Sequence, residues 1–548
     1  MTANALSSSA TSRSDELRVD LTAGLLPSLP SAYLAGRDLD LLAPLRFLPA
    51  DGFPSGPALP GARRELAAAL AIANRGYGVE RADEMARRLA DPATRVIVTG
   101  QQPGLLGGPL YSFSKAVAAA RWAAELEARG EPAVAVYWIA TEDHDWAEVS
   151  SATVLTPEGP KTFDLGPDPE PLTPVGMRTL GPAVDDVLRQ LAEAVPGERY
   201  AEWVRTLGRW YRPDARFGEA FARLMARLLG PRCPLLLDAM LPALKDAQRP
   251  WLRRLVERRK VIEEALARRD AEIESRGHAL QVTPQRGLSP LFLLSRGERR
   301  RIEWRGEDGY ALRGREDGGK AEDLLRIVDE NPGVLSPGAL ARPALQDAVL
   351  GTTLQVLGPG EVSYIGQSAA VYPVLEVEPA WVSLRPQTLV LEPHLAGKLA
   401  EAGVPLPVLL SSQQALDRAL AELEGDGFVA PVRQRIEEAL DELKARSADP
   451  NLERPFEKTR EQILRALDLF GEKAISAAAR RNEVRNRRVQ MLRESCLPLG
   501  KGQERVVASA HFEGKYGERL AGSYWEQMGL DPRVLHVIIP DGIVEERA

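Results

Sequence analysis

The sequence predicts an α/β protein: a core built on a parallel β-sheet, interrupted by insertions and followed by an α-helical arm with coiled-coil character. Two observations carry this. A strand–loop–helix–strand run stands between Arg95 and Ala140, the crossover that a parallel strand pair requires. Between Gln413 and Ser495 glycine becomes scarce and apolar residues recur at helical spacing among charged ones, as in packed amphipathic helices.

The elements follow in order. Residues 15–60 are broken by prolines and glycines and read as loops and short helices over the core. Ala62 to Ala90 reads as helical, with Leu66, Leu70, Ile72 and Met85 as its apolar positions. Arg95 to Thr99 is a β-branched run bounded by Gly100, hence a buried strand. The loop Gly100–Pro109 precedes a helix from Leu110 to Arg129, stopped by Gly130. Val134 to Ala140 is the second strand, and the crossover should be right-handed. Glu148 to Asp164 suggests a hairpin, Val184 to Leu229 is helical in outline, and Pro234 to Asp238 is another core strand. Pro242 to Arg276 reads as a charged helix or helix pair, and 280–316 as a small antiparallel excursion. A helix should start near Pro343, where proline suits the first turn. Val356-Leu357 leads into Gly358-Pro-Gly-Glu361, read as a tight loop, and Leu389 to Leu391 is a candidate strand. Val432, Ile436, Leu440 and Leu443, then Ile463 and Leu467, mark antiparallel helices broken near Asp449-Pro450. Leu535 to Ile539 closes the chain as a strand. The expected organisation is a disordered tail (1–15), a core (16–412) with insertions at about 148–232 and 277–330, an arm (413–495), and a segment (496–548) returning to the core.

Composition narrows the function classes. The chain has 77 acidic and 70 basic side chains, a formal net charge of -7, which argues against a nucleic-acid binder. Small anionic ligands need only a local positive cluster. No apolar run approaches the roughly 18 residues of a membrane span, and the first fifteen residues lack a signal peptide's apolar stretch. Cys233 and Cys496 lie far apart, outside any CxxC motif. They read as buried apolar residues of a cytoplasmic protein rather than a disulfide or zinc framework.

Three clusters could carry chemistry. In Thr99-Gly-Gln-Gln-Pro-Gly-Leu-Leu-Gly-Gly-Pro-Leu-Tyr111, Gly100, Gly104 and Gly107 would let backbone approach a ligand, and the following helix offers free N–H groups to a phosphate or carboxylate. Gln101 and Gln102 add amides, and Lys115 could reach an anion. Neither GxGxxG nor GxxxxGK[ST] is present, and a packed tight turn is the plainer alternative. The second cluster, Glu142-Asp-His-Asp145, follows the second strand, and ligands of parallel sheets bind beyond the strands' carboxyl ends. It suggests acid/base work by His144, with Asp143 and Asp145 tuning it. A carboxylate could instead hold an ammonium group. A metal site, or a solvated turn or helix cap, also remains open. The third cluster pairs Arg342, a fork for a carboxylate or phosphate, with Glu361, Tyr364 and Gln367; an ordinary helix salt bridge and loop would look the same. Arg385 and Glu392 read as structural. His278, His394 and His536 have no partner cluster, and His511 fits a second pocket or a structural role equally.

Taken together and in order, the Gly100–Tyr111 motif, Trp138, Glu142–Asp145, Arg342-Pro343, Gly358-Pro-Gly-Glu361 with Tyr364, the helical arm and Gln503-Glu-Arg to Tyr516-Gly517 resemble the bacillithiol-biosynthesis cysteine-adding enzyme family (BshC). The likeness runs from about Pro27 to the end. Ser289-Pro290 departs from the family's Asn-Leu-Phe pattern, so no ligand role falls there. The resemblance implies a Rossmann-like core with two connecting-peptide insertions and a coiled-coil domain that makes a homodimer. That architecture is similar to class I aminoacyl-tRNA synthetases and nucleotidyltransferases. It implies a ligase joining L-cysteine to glucosaminyl-malate, with no nucleic-acid or membrane partner. Activation of the cysteine carboxyl by ATP, as an adenylate or as an acyl phosphate that leaves ADP, is the natural hypothesis, although neither HIGH nor KMSKS is recognisable; no metal is assigned. On this footing His144, Asp145 and Asp143 are the catalytic candidates. Gly100, Gln101, Gln102, Gly104, Gly107, Tyr111, Lys115, Glu142, Arg342, Glu361 and Tyr364 are the substrate-binding candidates. The alternatives are another ATP-dependent ligase or nucleotidyltransferase, a non-catalytic dimeric metabolite-binding protein, or a metal-dependent hydrolase.

Overall fold

Six short strands assemble into one parallel sheet: Arg46–Phe47 (β1), Arg95–Gln101 (β2), Ala133–Ile139 (β3), Leu235–Asp238 (β4), Thr352–Leu357 (β5) and Trp381–Leu384 (β6). Their order is β1-β6-β5-β2-β3-β4, parallel at every pairing. This computed structural model describes residues 17, 19–21, 26–49, 52–53, 56–283, 287–423, 429–446, 450–481 and 483–540; the expected tail before Asp15 lies outside them. All of β3 and β5 is buried, as strands covered on both faces must be. Helix α1 (Tyr111–Ala128) makes the β2–β3 crossover, and its alanine-rich body lets it pack closely on both strands.

Several sequence expectations need correction. The helical stretch Ala62 to Ala90 is two helices, Arg64–Tyr77 and Ala82–Ala90, because Gly78 takes φ 89° and ends the first. Ile72 points to solvent at 66% exposure, while Leu66, Leu70 and Met85 are buried. The Pro242 to Arg276 segment takes the expected helix-pair alternative, Pro242–Glu257 (α2) and Arg259–Ser275. Gly358-Pro-Gly-Glu361 is not a loop. It opens helix α4 (Pro359–Ala369), which follows α3 (Arg342–Leu350) and β5. Pro359 occupies the first turn, where its missing N–H costs nothing, and Glu361 Oε2 accepts the Gly358 N–H at 2.7 Å. The excursion at 280–316 is larger than expected: Leu288–Ser295, Glu298–Arg305, Gly309–Leu312 and Gly318–Lys320 are joined by Leu335–Pro337 in one five-stranded antiparallel sheet.

The hairpin Ser151–Thr156/Gly159–Asp164 and the helices Ala183–Ala194, Glu198–Leu207 and Phe217–Leu229 fill the first insertion. Near the chain end, Val534–Ile538 (β8) pairs parallel with Gln387–Val390 (β7). Gln503 clamps β7 by bonding both the N–H and the carbonyl of Val390 at 2.9 Å.

The described residues divide into two compact units. One contains Leu391–Gly500; the other contains Asp20–Val390 with the chain from Lys501 onward. In the first, helices Gln413–Leu423, Val429–Arg446, Glu453–Arg481 and Glu483–Cys496 form the arm, the long third helix packing on the two before it. Leu416, Leu420 and Leu440 are buried there, whereas Leu443 is 56% exposed. The break expected at Asp449 lies outside the described residues, and a short turn follows at Pro450–Leu452. Cys233 and Cys496 are buried free thiols. Among the described residues no helix is long and apolar enough to cross a membrane.

Candidate active site

Strands β2, β3, β5 and β6 all end at one edge of the sheet, and a cavity of about 440 Å³ opens there. A cavity of that size suits a small-molecule ligand. The two segments that sequence placed beyond the strand ends share it: Gly100, Gln101, Gln102, Tyr111 and Lys115 from one side, Glu142 and Asp143 from the other. Arg342, Gly358, Glu361 and Tyr364 complete the expected wall, and Trp138, Glu148, Arg299, Arg385 and Arg505 join them.

Gly100 has a steric reason to be glycine. A Cβ there would sit 2.5 Å from the Trp138 carbonyl oxygen on β3. Gly104 and Gly107 are not part of the wall. Gly104 folds back on Gly108, and Gly107, at φ +83°, packs against Leu224, Leu228 and Ser509. The N–H of Leu110, at the head of α1, donates to the Val507 carbonyl at 2.8 Å. The packed-turn reading therefore applies to the second half of the glycine loop, not the anion cradle.

Lys115 is no free anion hook. It is buried, donates to Gly100 O and Gln101 Oε1 at 2.8 Å each, and is ion-paired with Glu361. Burial lowers its pKa, against the pull of Glu361. Glu142 is likewise taken: it is buried and paired with Lys245 of α2. Asp143 reaches the cavity too, its Oδ2 accepting from Gln102 Nε2 at 3.0 Å. Its Oδ1 accepts the His144 N–H at 2.8 Å and faces Arg299 Nη1 at 3.4 Å.

His144 does not line the cavity. Its Nδ1 accepts from Arg299 Nη1 at 3.4 Å, which places the ring proton on Nε2. Its pKa is lowered, mainly by burial and then by Arg299, with Asp143 and Asp145 opposing; the flanking carboxylates do not dominate it. Asp145 takes the helix-cap alternative. Its Oδ1 accepts the Glu148 N–H at 3.1 Å at the start of Trp146–Val149. The acid on the cavity wall is Glu148, which the sequence reading missed. Gln101 Nε2 donates to one of its oxygens at 3.0 Å and Gln102 Nε2 to the other at 2.8 Å. The residue is exposed, but desolvation of its carboxylate against the cavity wall raises its pKa, followed by the charges of Asp145 and Asp143.

The cationic side of the wall comes from four segments far apart in sequence. Arg299 is buried on the antiparallel insertion, lies 3.7 Å from the Phe292 ring centroid, and donates to Ser336 Oγ at 2.9 Å. Burial pulls its pKa down to about 10. Arg385, read from sequence as structural, lines the cavity and forms a buried two-pronged pair with Glu504, at 2.8 and 2.5 Å. Arg342 differs from both. Its guanidinium donates to Gln346 Oε1 and Tyr364 OH, each at 3.0 Å, both neutral acceptors. Arg505 is exposed at the cavity and has no side-chain partner among the described residues. Nothing in the local pattern around Arg299, in an Arg-Arg-Arg run, or around Arg505 separates a wall residue from a solvated one. The Gln503-Glu-Arg505 motif was the one available signal.

Two sequence candidates belong elsewhere. Gln367 is fully buried and bonds Asp270 Oδ1 at 2.8 Å and Val282 O at 2.9 Å. His511 is fully buried against Tyr200, its Nδ1 3.4 Å from the phenol oxygen, which favours the structural role. His278 bonds Asp38 and Ser28, and His536 bonds the Asp531 carbonyl. Among the described residues no group of three or more His, Cys, Asp or Glu side chains gathers as a metal-ligand set.

A parallel α/β core with a polar, arginine-bearing cavity at the carboxyl edge of its sheet defines the class: an open α/β protein with its cavity where ligands of such sheets bind. The chain belongs to the bacillithiol-biosynthesis BshC family. Residues 55–386 match its N-terminal Rossmann-like domain and residues 388–529 its C-terminal coiled-coil domain. Three relatives, each named "Putative cysteine ligase BshC", align over most of both chains. That of Symbiobacterium thermophilum is 31% identical over 86% of this chain and 88% of its own. That of Solibacter usitatus is 30% identical over 81% and 84%, and that of Salinibacter ruber 29% over 84% and 86%. Among solved structures, one titled a putative arginyl-tRNA synthetase from Campylobacter jejuni covers 85% of this chain and 99% of its own at 10% identity. Its TM-score of 0.23 is too low to carry an argument.

Proposed function

We propose that this chain is a cytoplasmic ligase that joins the carboxyl group of L-cysteine to the amino group of glucosaminyl-malate, giving bacillithiol. Family membership supplies the reaction class, and one observation carries the substrate assignment. Arg342 lines the cavity with only neutral hydrogen-bond partners, the Glu361 charge acting on it without an ion pair, while Arg299 and Arg385 each have a carboxylate within 3.4 Å. A guanidinium so placed favours an incoming carboxylate, and its fork geometry matches one. The malate head of the acceptor substrate brings two, with Arg505 at the cavity for the second.

The remaining groups divide between the two substrates. Asp143 holds the cysteine ammonium. Glu148 accepts the proton that the attacking amine must lose as the C–N bond forms and the bond from the acyl carbon to its leaving group breaks. Its raised pKa suits that task at neutral pH. His144 and Asp145 act as supports: His144 accepts from Arg299, and Asp145 caps the turn that carries Glu148. ATP would supply the activation of the cysteine carboxylate that amide formation in water requires. The backbone at Gly358–Gly360, at the start of α4, lines the same cavity and would face the nucleotide's phosphates. A homodimer through the arm completes the proposal.

The test is direct. Purified protein given cysteine, glucosaminyl-malate and ATP should form bacillithiol with stoichiometric ATP consumption, followed by mass spectrometry. Arg342→Met should raise the KM for glucosaminyl-malate by about ten-fold or more, since a charge-assisted hydrogen bond contributes roughly 1.5–3 kcal/mol. Absence of product with that pair, or equal use of unrelated amines, would end the assignment.

A further inference from the structure

Arg342 is held by a side chain whose own orientation needs explaining. A guanidinium has only donors, so Gln346 must turn its amide oxygen toward it, at 3.0 Å. The amide nitrogen of Gln346 then points the other way and requires an acceptor, because Gln346 is only 3% exposed. Asp347 Oδ1 is that acceptor, at 3.3 Å. Asp347 is itself 2% exposed and fixed from two further elements. Its Oδ2 accepts from Gln355 Nε2 of β5 at 2.6 Å and from the Tyr372 hydroxyl at 2.7 Å. Tyr372 lies on the short helix Val371–Leu375, and its hydroxyl also accepts from Gln355 at 2.9 Å. A chain of directed hydrogen bonds thus runs from the sheet to the cavity wall: Gln355 and Tyr372 fix Asp347, Asp347 fixes Gln346, and Gln346 fixes Arg342.

We infer that Asp347 is a positioning residue for the ligation: it sets the orientation of the Gln346 amide and so aims the Arg342 guanidinium at the substrate carboxylate. This rests on the reading that Arg342 receives such a carboxylate. Asp347 touches no substrate. Ionised, it offers only acceptors, so only one arrangement of the chain leaves every buried donor satisfied; burial pushes its carboxyl up to about 7, and binding is therefore measured at pH 8. An asparagine at position 347 would break that logic at one point. Its oxygen would stay with Gln355 and Tyr372, and its amide nitrogen would face Gln346. Gln346 would then turn its oxygen toward residue 347 and its nitrogen toward Arg342, donor against donor.

The experiment measures L-malate binding by titration calorimetry, with ligation kinetics in parallel, on the full chain. Wild type should bind malate, and Arg342→Met should lose about ten-fold in affinity. Asp347→Asn should lose about as much and raise the KM for glucosaminyl-malate while leaving kcat for saturating substrate nearly unchanged. General loosening of the fold would raise the KM for cysteine as well and lower kcat, whereas a misaimed Arg342 raises the KM for glucosaminyl-malate alone. Gln346→Met breaks the chain from its other end and should weaken malate binding similarly, which keeps the test alive if Asp347→Asn fails to fold. Wild-type affinity in Asp347→Asn or Gln346→Met, or an equal rise in the KM for cysteine, overturns the positioning role. Equal affinity of wild type and Arg342→Met, or no malate binding by either, instead removes the carboxylate reading of Arg342 on which it stands.

Discussion

Glu148 shows how a side chain acquires a task from its surroundings. Two amide donors orient its carboxylate, and two neighbouring aspartates make its negative charge less favourable. Glu148→Gln keeps both shape and one acceptor oxygen but cannot take a proton. It should lower kcat by about 10²–10⁴ and remove the acid limb of the pH–rate profile, which stopped-flow assays between pH 5 and 8 would show. The buried histidines make a separate prediction. His511 has its pKa well below 6.5, chiefly through burial, and His144 and His536 shift the same way. Below pH 6.5 the unfolded chain binds protons that the folded chain refuses, so stability falls as pH drops through that value and is flat above it. Each full unit in that window costs at most about 1.4 kcal/mol per histidine. Denaturant melts of His511→Gln should show a shallower loss between pH 7 and 5 than wild type; an identical slope would contradict the assignment.

At the scale of elements, the site depends on how closely β2 and β3 approach and on what ties the strand ends together. Gly100→Ala would place a methyl carbon 2.5 Å from the Trp138 carbonyl. Backbone cannot swing aside as a flexible side chain can, so the strands must part at their catalytic ends. A loss of about 1–3 kcal/mol is expected, with a larger proportional loss of activity. The Arg385–Glu504 pair joins the end of β6 to the segment after Gly502. Both side chains are buried, and Glu504 also accepts the Thr388 N–H at 3.0 Å. Glu504→Gln strands a buried guanidinium and should cost about 3–5 kcal/mol by urea denaturation.

At the scale of the molecule, the arm leaves apolar side chains exposed. Leu443 on Val429–Arg446 and Leu469 on Glu453–Arg481 are 56% and 53% exposed. If the arm makes the homodimer, the double variant L443E/L469E should sediment as a monomer while retaining its helical circular dichroism. An unchanged sedimentation coefficient would move the interface elsewhere.

Elements that bury one continuous apolar face were legible in the sequence. Arg95–Gln101, Ala133–Ile139, Leu235–Asp238 and the helices of the arm announce themselves by local pattern, because burial on a strand or helix repeats at its own period. The two clusters at the ends of β2 and β3 were legible for the same reason: a parallel sheet puts consecutive strand ends on one edge. Tertiary structure alone decided which residues of those clusters face the cavity. His144 and Asp145 turn to Arg299 and to a helix N-terminus, while Glu148, three residues on, reaches the wall. Gly358-Pro-Gly starts a helix rather than a loop because the Glu361 carboxylate caps it. The arginines that set the cavity's charge come from positions 299, 342, 385 and 505. No local pattern links such residues, because a charged side chain's role depends on which counter-charge the fold brings beside it.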